Sequence, residues 1–129
     1  MPSTNNIYIG RAAEFLAAHT LELYGLRATH VDLPFDDLWV NANGRLTRVQ
    51  VKGSIAPLQR KDRPHISVYN FRFSNHPTAY DGVVILVALD LKLCLARTWD
   101  DTPPQTLKVN PKLFTPEAEE QSFREACKL

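Results

Sequence analysis

A carboxylate and an ammonium group meet at the open end of one predicted β-hairpin. Asp37 opens the first strand and Lys52 closes the second, and Asn43-Gly44 supplies the turn because both residues tolerate positive φ. A carboxylate can hold a divalent cation, and an ammonium group can offset the charge of a phosphate. The pair is therefore a candidate catalytic site. The alternative is an ion pair on a solvated sheet face, which contributes little to stability.

The register of this hairpin decides which side chains meet. With a two-residue turn, Ala42 pairs with Arg45, and the same count places Asp37 opposite Gln50. Directly opposed residues point to one face of a sheet, and Lys52, two residues beyond Gln50, shares that face. The pattern thus predicts a carboxylate, a carboxamide and an ammonium group at one end of the hairpin. A β-bulge would break this register.

The elements that position these residues are predicted from hydrophobic periodicity. Apolar residues recur at helical spacing over residues 5–24, and a second helix is predicted from Thr115 to Cys127 with Thr115 as its N-cap. Strands are predicted at Arg27–Leu33, Asp37–Asn41, Arg45–Lys52, His65–Phe73, Gly82–Leu89 and Leu93–Arg97. Loops or irregular segments are predicted at residues 53–64, 74–81 and 100–114. This order predicts an α/β (α+β) fold, in which a sheet is backed by helices.

The composition is that of a globular protein with one domain. The chain has 129 residues, 44% hydrophobic and 22% charged, which is enough to bury a single core. Its two cysteines are too few for a disulfide framework or a cysteine-rich zinc site. The N-terminus lacks a signal-peptide pattern, and the apolar run Val83–Leu89 is too short to span a bilayer. We therefore expect a cytoplasmic protein without membrane contact.

Charge is distributed unevenly along the chain although the total is only +1. Residues 45–80 carry seven basic side chains and one acidic side chain, whereas the segments before and after carry net negative charge. Such asymmetry is typical of a surface that binds a polyanion, and it is also compatible with a solvated basic loop.

Three short motifs now point to a known family. They are GRAAE at Gly10–Glu14, DLWV at Asp37–Val40 and VQVKGS at Val49–Ser54. Together with the order of elements they resemble the PD-(D/E)XK nuclease superfamily, and within it the small branch of archaeal Holliday-junction resolvases and intron-encoded endonucleases. The resemblance covers about residues 5–97. It implies a restriction-endonuclease-like core with a mixed central sheet, an N-terminal helix and a C-terminal helix packed on it, and residues 98–129 as an extension of the same domain.

The resemblance also implies roles for the residues of the hairpin and the first helix. Asp37 would bind Mg²⁺ or Mn²⁺ together with the amide oxygen of Gln50, the backbone carbonyl of Val51 and the carboxylate of Glu14. Lys52 would orient or help deprotonate the attacking water and offset charge on the phosphate. Many superfamily members have an acid where this chain has Gln50. A carboxamide brings no negative charge, so metal affinity is expected to be lower than with glutamate.

The implied activity is metal-dependent hydrolysis of DNA phosphodiester bonds by a homodimer. Structure-selective cleavage of branched DNA is the first expectation, and site-specific cleavage as by an intron-type endonuclease is the alternative. A catalytically silent DNA-binding module and a small structural protein without a nucleic-acid role remain contrasting hypotheses. The residues expected to contact DNA are Arg45, Arg48, Ser54, Arg60, Lys61, Arg63 and Arg72.

Other polar and aromatic residues have a plainer interpretation. Asp36 is predicted to be a surface residue, and Asp81 to end a loop. The remaining candidates are three aromatic residues that either stack on bases or join the core, and two histidines near the basic segment that are candidate phosphate contacts: Tyr69, Phe71, Phe73, His65 and His76.

Overall fold

The protein is described by a computed structural model that covers residues 5–73, 80–99 and 105–129. Its elements, in chain order, are α1 (Asn6–Leu23), β1 (Arg27–His30), β2 (Leu38–Ala42), β3 (Arg45–Ser54), β4 (Leu58–Gln59), β5 (Ser67–Arg72), β6 (Val83–Ala88), β7 (Leu93–Thr98), β8 (Thr106–Val109), a 3₁₀ helix (Pro111–Leu113) and α2 (Pro116–Ala126).

A five-stranded mixed sheet forms the middle layer of the fold. Its strand order is β1-β2-β3-β6-β7, in which β3 and β6 are parallel and the other neighbours are antiparallel. All six residues of β6 are buried, as expected for a continuous apolar strand covered on both faces. The mixed sheet with an N-terminal and a C-terminal helix confirms the predicted fold class.

Both helices pack on the same face of this sheet. Helix α1 buries Ala13, Ala17 and Leu21 in a core cluster that also contains Phe123 of α2. The ring of Phe123 stacks on that of Tyr24 at 5.3 Å between centroids. Small residues on α1 let the helix lie close to the strands, so the first core is built from alanines and strand aliphatics.

The predicted helix ends agree closely with the structure. Helix α1 begins after Asn5, whose side chain accepts a hydrogen bond from the N–H of Ile7. Helix α2 begins after Thr115, whose hydroxyl accepts a hydrogen bond from the N–H of Ala118, so the predicted N-cap is confirmed. Among the described residues, no helix combines the length and apolarity needed to cross a membrane.

A second, three-stranded sheet covers the opposite face, and this sheet was not predicted. Its order is β4-β5-β8, and it buries Tyr69, Phe71 and Phe73 against Val84 and Leu86 of the main sheet. The prediction that residues 100–114 are irregular was wrong for the part that the structure describes, because β8 and the 3₁₀ helix lie there. Four residues carry too little periodicity to be recognised, and the partner of β8 is distant in sequence.

Helix α2 covers the outer edge of β7 with two side chains. The carboxylate of Glu119 accepts a hydrogen bond from the N–H of Cys94 at 2.8 Å, and the hydroxyl of Ser122 accepts one from the N–H of Ala96 at 3.0 Å. Strand β7 is the last strand of the main sheet, so these bonds satisfy backbone donors that a neighbouring strand would otherwise take. The C-terminal extension therefore completes the core and closes one sheet edge.

Candidate active site

The hairpin has the predicted register along all of β2. Ala42 pairs with Arg45, and the ladder continues with constant register to Leu38 opposite Val49. The turn residues Asn43 and Gly44 have φ of 53° and 78°, the left-handed values that the sequence indicated.

The register changes at Asp37, where the predicted pairing with Gln50 does not form. The N–H of Asp37 donates to the carbonyl of Val49, the residue already paired with Leu38, at 2.9 Å. Two consecutive residues of one strand thus face a single residue of the other, as in a β-bulge. The shift takes the Asp37 carboxylate past the end of β2, where its Oδ2 accepts a hydrogen bond from the N–H of Val51 at 2.8 Å.

The backbone carbonyl of Val51 is directed to the side of β3 on which Asp37 lies. Within a strand the N–H and C=O of one residue point to the same neighbouring strand, and every second residue repeats that direction. The carbonyl of Val49 and the N–H of Val51 both bond to Asp37, so the Val51 carbonyl is also directed to that side. The β2–β3 ladder ends at Leu38, which leaves this carbonyl beyond the last pair and beside the carboxylate.

Helix α1 brings Glu14 to the same end of the main sheet as Asp37. A Cβ on Gly53 would lie 2.6 Å from the Cβ of Ala13, so only glycine at this position lets α1 approach β3 so closely. Glu14 follows Ala13 and shares an open groove of about 620 Å³ with Asp37. The remaining residues that line the groove are Arg11, Phe15, His30, Val31, Asp32 and Leu33.

Lys52 and Gln50 lie on the other face of β3, under the second sheet. Gln50 pairs with Val84 of β6 and is only 6% exposed, so this face is not the wet surface of the alternative prediction. The ammonium group of Lys52 lies 5.6 Å from the centre of the Phe73 ring. Lys52 also interacts electrostatically with Asp37, so the two charges act on one another at the end of the hairpin.

Burial disfavours the charged forms of Asp37, Glu14 and Lys52, the three ionisable groups of the candidate site. It raises the pKa of Asp37, against the lowering effects of the Val51 N–H and the Lys52 ammonium group. It also raises the pKa of Glu14, and the negative charge of Asp37 adds to that shift. Burial lowers the pKa of Lys52, with Asp37 opposing the change. Such shifts are typical of functional sites, where a bound cation would favour the ionised carboxylates.

The donor atoms fit a hard divalent cation. The two carboxylates of Asp37 and Glu14, the Val51 carbonyl and the carbonyl oxygen of the Gln50 side chain are oxygen donors, which Mg²⁺ and Mn²⁺ prefer. Among the described residues, Oδ1 of Asp37 accepts no hydrogen bond, whereas Oδ2 bonds to Val51. The same part of the chain has no group of three or more His, Cys, Asp and Glu side chains that could hold a metal. A metal here thus depends on the amide and backbone oxygens.

The residues expected to contact DNA are not equally available. Arg48 bonds to Asp36 through Nε and to Asp81 through Nη1, and Arg60 makes two bonds to Asp62. The side chains of four other basic residues are exposed, namely Arg45, Lys61, Arg63 and Arg72. The hydroxyl of Ser54 donates to the carbonyl of Ala56 at 3.4 Å.

The structure corrects one interpretation of the sequence, that of Asp36, and decides between the two alternatives for the aromatic residues in favour of the core. Asp36, predicted to lie on the surface, is 3% exposed and accepts hydrogen bonds from three side chains. The three aromatic residues of the β5 segment are all buried in the second core cluster, so they are not free to stack on bases. His65 is exposed, and His76 lies outside the described residues.

Two groove residues were not identified from the sequence. Nδ1 of His30 lies 3.9 Å from a carboxylate oxygen of Glu14, and the His30 ring packs against that of Phe15 at 4.9 Å. Asp32 lines the groove and interacts electrostatically with Glu14. Both lie where β1 ends, and no spacing signal in the sequence indicates that this segment borders α1.

The fold is shared with a protein of known structure. No protein-family model matches the chain, and no curated protein sequence matches it. Among solved structures, the chain is similar to a bacterial homing endonuclease, I-Ssp6803I, with a TM-score of 0.66 and 19% sequence identity. The similarity covers 85% of this chain and 77% of that chain. At this identity the comparison establishes a common fold.

Proposed function

We propose that this protein is a metal-dependent endonuclease that hydrolyses phosphodiester bonds in DNA. The observation that carries the proposal is the placement of Asp37, which passes the end of β2, bonds to the Val51 N–H and is electrostatically coupled to Lys52 and Glu14. The common fold with a homing endonuclease supports it.

The roles of the residues follow from their positions. Asp37, Glu14 and the Val51 carbonyl would hold Mg²⁺ or Mn²⁺, with the Gln50 amide as a further donor. The cation supplies an activated water and offsets charge on the phosphate. The amine of Lys52 would contact the attacking water or the scissile phosphate, and its lowered pKa makes the neutral form more accessible.

The substrate is proposed to be double-stranded DNA cut at specific sites, by a homodimer that supplies one site for each strand. The fold neighbour is a homing endonuclease, which favours this alternative over the branched-DNA specificity that the resemblance first implied. Lys61, Arg63, Arg72 and Arg45 have exposed side chains that would contact backbone phosphates. Arg48 is held by two carboxylates and is expected to contribute less.

A cleavage assay on the wild-type protein and two single variants tests the proposal. The purified protein is incubated with a duplex library of random sequence, a four-way junction and a flap, each with Mg²⁺, Mn²⁺ or EDTA. We expect cleavage with either metal and none with EDTA. Asp37→Asn and Lys52→Met should each lower the rate at least about 100-fold while the protein stays folded.

The control is Asp90→Asn, which alters a carboxylate that lies just after β6 and accepts a hydrogen bond from the hydroxyl of Tyr69. This variant should keep the wild-type rate. Salt-sensitive binding to DNA without cleavage under any condition would contradict the enzymatic proposal and favour a silent binding module. Absence of binding as well would contradict a role on nucleic acid.

A further inference from the structure

Asp36, the residue immediately before Asp37, is the centre of a buried hydrogen-bond network. Its Oδ2 accepts from Nε1 of Trp39 at 2.8 Å and from Nε of Arg48 at 2.9 Å. Its Oδ1 accepts from the hydroxyl of Tyr80 at 2.8 Å. The side chain is only 3% exposed, and these donors keep the pKa of Asp36 below its usual value despite burial.

The partners of Asp36 come from three parts of the chain. Trp39 and Arg48 are cross-strand neighbours in the β2–β3 ladder, and Tyr80 precedes β6. The Arg48 guanidinium also lies over the Tyr80 ring at 4.7 Å and bonds to Asp81 at 3.0 Å. One carboxylate thus ties the start of β2 to β3 and to the segment that enters β6.

The network is tightly packed at Gly82, where the chain enters β6. A Cβ on Gly82 would overlap the backbone carbonyl of Arg48 and the ring of Tyr80. Glycine is therefore required where the β6 segment passes the network. Because the surroundings cannot move apart easily, the position of Asp36 is fixed by its neighbours.

The network lies next to the point where the hairpin register changes. Asp36 is fixed on one side of Asp37, and Leu38 is fixed on the other side by its pairing with Val49. The backbone between them takes the bulge-like shift that sends the Asp37 side chain to Val51. A buried carboxylate–arginine pair is not by itself strong evidence for stability, because desolvation offsets much of its attraction. Its effect here is better understood as fixing one backbone arrangement.

We propose that Asp36 is a positioning residue, which holds Asp37 in the orientation needed to bind the catalytic metal. This inference rests on the proposed function of Asp37 as a metal ligand. Asp36 does not line the groove and makes no hydrogen bond to Val51. It acts on Asp37 through the backbone, and the repulsion between the two carboxylates is a separate effect, which Tyr80→Phe leaves in place. Residues that orient metal ligands typically change metal affinity or activity 10–100-fold when altered.

The direct test is Mn²⁺ binding to the protein without DNA, followed by calorimetry or by the electron paramagnetic resonance signal of free Mn²⁺. In Asp36→Asn, the amide can direct its oxygen to Trp39 and Arg48 and its NH₂ to the Tyr80 hydroxyl, so the fold should be kept while the charge is lost. We expect Mn²⁺ affinity to fall about 10-fold. In the cleavage assay, kcat should fall by a similar factor while KM for DNA stays unchanged.

Three further variants make the result specific. Tyr80→Phe removes one donor and keeps the buried charge, so it should weaken Mn²⁺ binding in the same direction by a smaller factor. Asp81→Asn alters the exposed partner of the same arginine and should change the affinity less than about 2-fold. Val109→Ala on β8 destabilises the second core cluster, away from the hairpin end and α1, and should leave Mn²⁺ affinity unchanged.

The outcomes separate this inference from the proposed function. If wild-type protein binds no Mn²⁺, the metal site itself is wrong. If wild-type protein binds Mn²⁺ and Asp36→Asn binds it equally well, the positioning role is overturned, even where the variant unfolds at a lower temperature. A parallel loss of affinity in Val109→Ala would also overturn it, because general destabilisation would then explain the effect.

Discussion

Asp37 and Lys52 carry opposite charges at one end of the hairpin, and burial disfavours the charged form of both. Their mutual attraction does not cancel this effect, because the pKa of Asp37 remains raised and that of Lys52 remains lowered. The protein therefore keeps a carboxylate in a place where its charge opposes folding. This arrangement is typical of sites selected for function at the expense of stability.

Asp37→Asn is accordingly expected to stabilise the apo protein while it removes cleavage. An amide oxygen can still accept the Val51 N–H, and the unfavourable charge is lost, so the free energy of unfolding should rise by up to about 1 kcal/mol near neutral pH. Because the folded pKa of Asp37 lies above 3.8, wild-type stability falls as pH rises from that value through the folded pKa.

The advantage of Asp37→Asn should therefore be absent at low pH and grow through that same pH interval. Thermal unfolding of both proteins between pH 3 and pH 8 measures this difference. Asp62→Asn, at an exposed carboxylate whose pKa is lowered by Arg60, is the matched control and should show no such gain. A wild-type protein that is more stable than Asp37→Asn at neutral pH would contradict the electrostatic argument.

Helix α1 and strand β3 touch at a glycine, and that contact sets the position of Glu14. Ala13 is 1% exposed and faces Gly53, which follows Lys52 in the chain. Any larger side chain at residue 53 must push α1 away from the sheet, and Glu14 would move with it.

Gly53→Ala should destabilise the protein by about 1–3 kcal/mol, because the new methyl group would meet the Cβ of Ala13 at 2.6 Å. The control is Gly10→Ala on α1, where an added Cβ would have no atom within 4 Å apart from its chain neighbours and the adjacent helix backbone. That change should be neutral or slightly stabilising, since alanine favours a helix more than glycine. Chemical denaturation measures both.

A rescue experiment makes the cause of this destabilisation clear. Adding Ala13→Gly to Gly53→Ala removes the overlapping methyl group and should recover part of the lost stability and of the Mn²⁺ affinity. The recovery is limited because glycine within a helix itself costs about 1 kcal/mol. No recovery in the double variant would show that the α1–β3 contact is not the cause.

At the scale of elements, the sequence was informative where local chemistry decides the structure. Asn43-Gly44 determined the hairpin turn and hence the register, and Thr115 determined the start of α2. The predicted register was wrong at Asp37. The bulge-like shift there accompanies buried contacts of Asp36 with residues as distant in sequence as Tyr80. A charged residue in a short loop gives no sign that it is buried.

The described part of the molecule consists of three layers, and the candidate site lies at one end of the middle layer. The helices cover one face of the main sheet and the second sheet covers the other. Glu14 reaches this end of the main sheet from the helical layer, and Lys52 lies on the face that the second sheet covers. The resemblance proposed four candidate site residues, but the sequence did not predict the second sheet that covers the face on which Gln50 is buried. That layer depends on contacts between segments distant in sequence.

The basic segment of the chain is only partly available to a polyanion. Arg60 is bound by Asp62 through two hydrogen bonds, and Arg48 is bound by Asp36 and Asp81. These arginines count fully in the net charge of the segment, yet their carboxylate partners offset them locally. Sequence charge therefore overstates the number of phosphate contacts, and exposed cations should dominate binding.

The salt dependence of DNA binding tests this ranking. Each phosphate contact that is lost should reduce the slope of log K against log salt concentration by about 0.9. Lys61→Ala with Arg63→Ala should therefore reduce the slope by about twice that amount and weaken binding to all sequences equally. Arg60→Ala should reduce it less, because its guanidinium is already held by Asp62.

Asp62→Asn extends the same argument in the opposite direction. Loss of the carboxylate frees Arg60 for a phosphate, so binding should strengthen and the salt slope should become steeper. Fluorescence anisotropy on one duplex at several salt concentrations measures all of these variants. Arg27→Ala is the control, because it removes one exposed positive charge outside the basic segment, on the edge strand β1. If Arg27→Ala lowers the slope as much as the Lys61 and Arg63 substitutions, DNA binding is not confined to the basic segment.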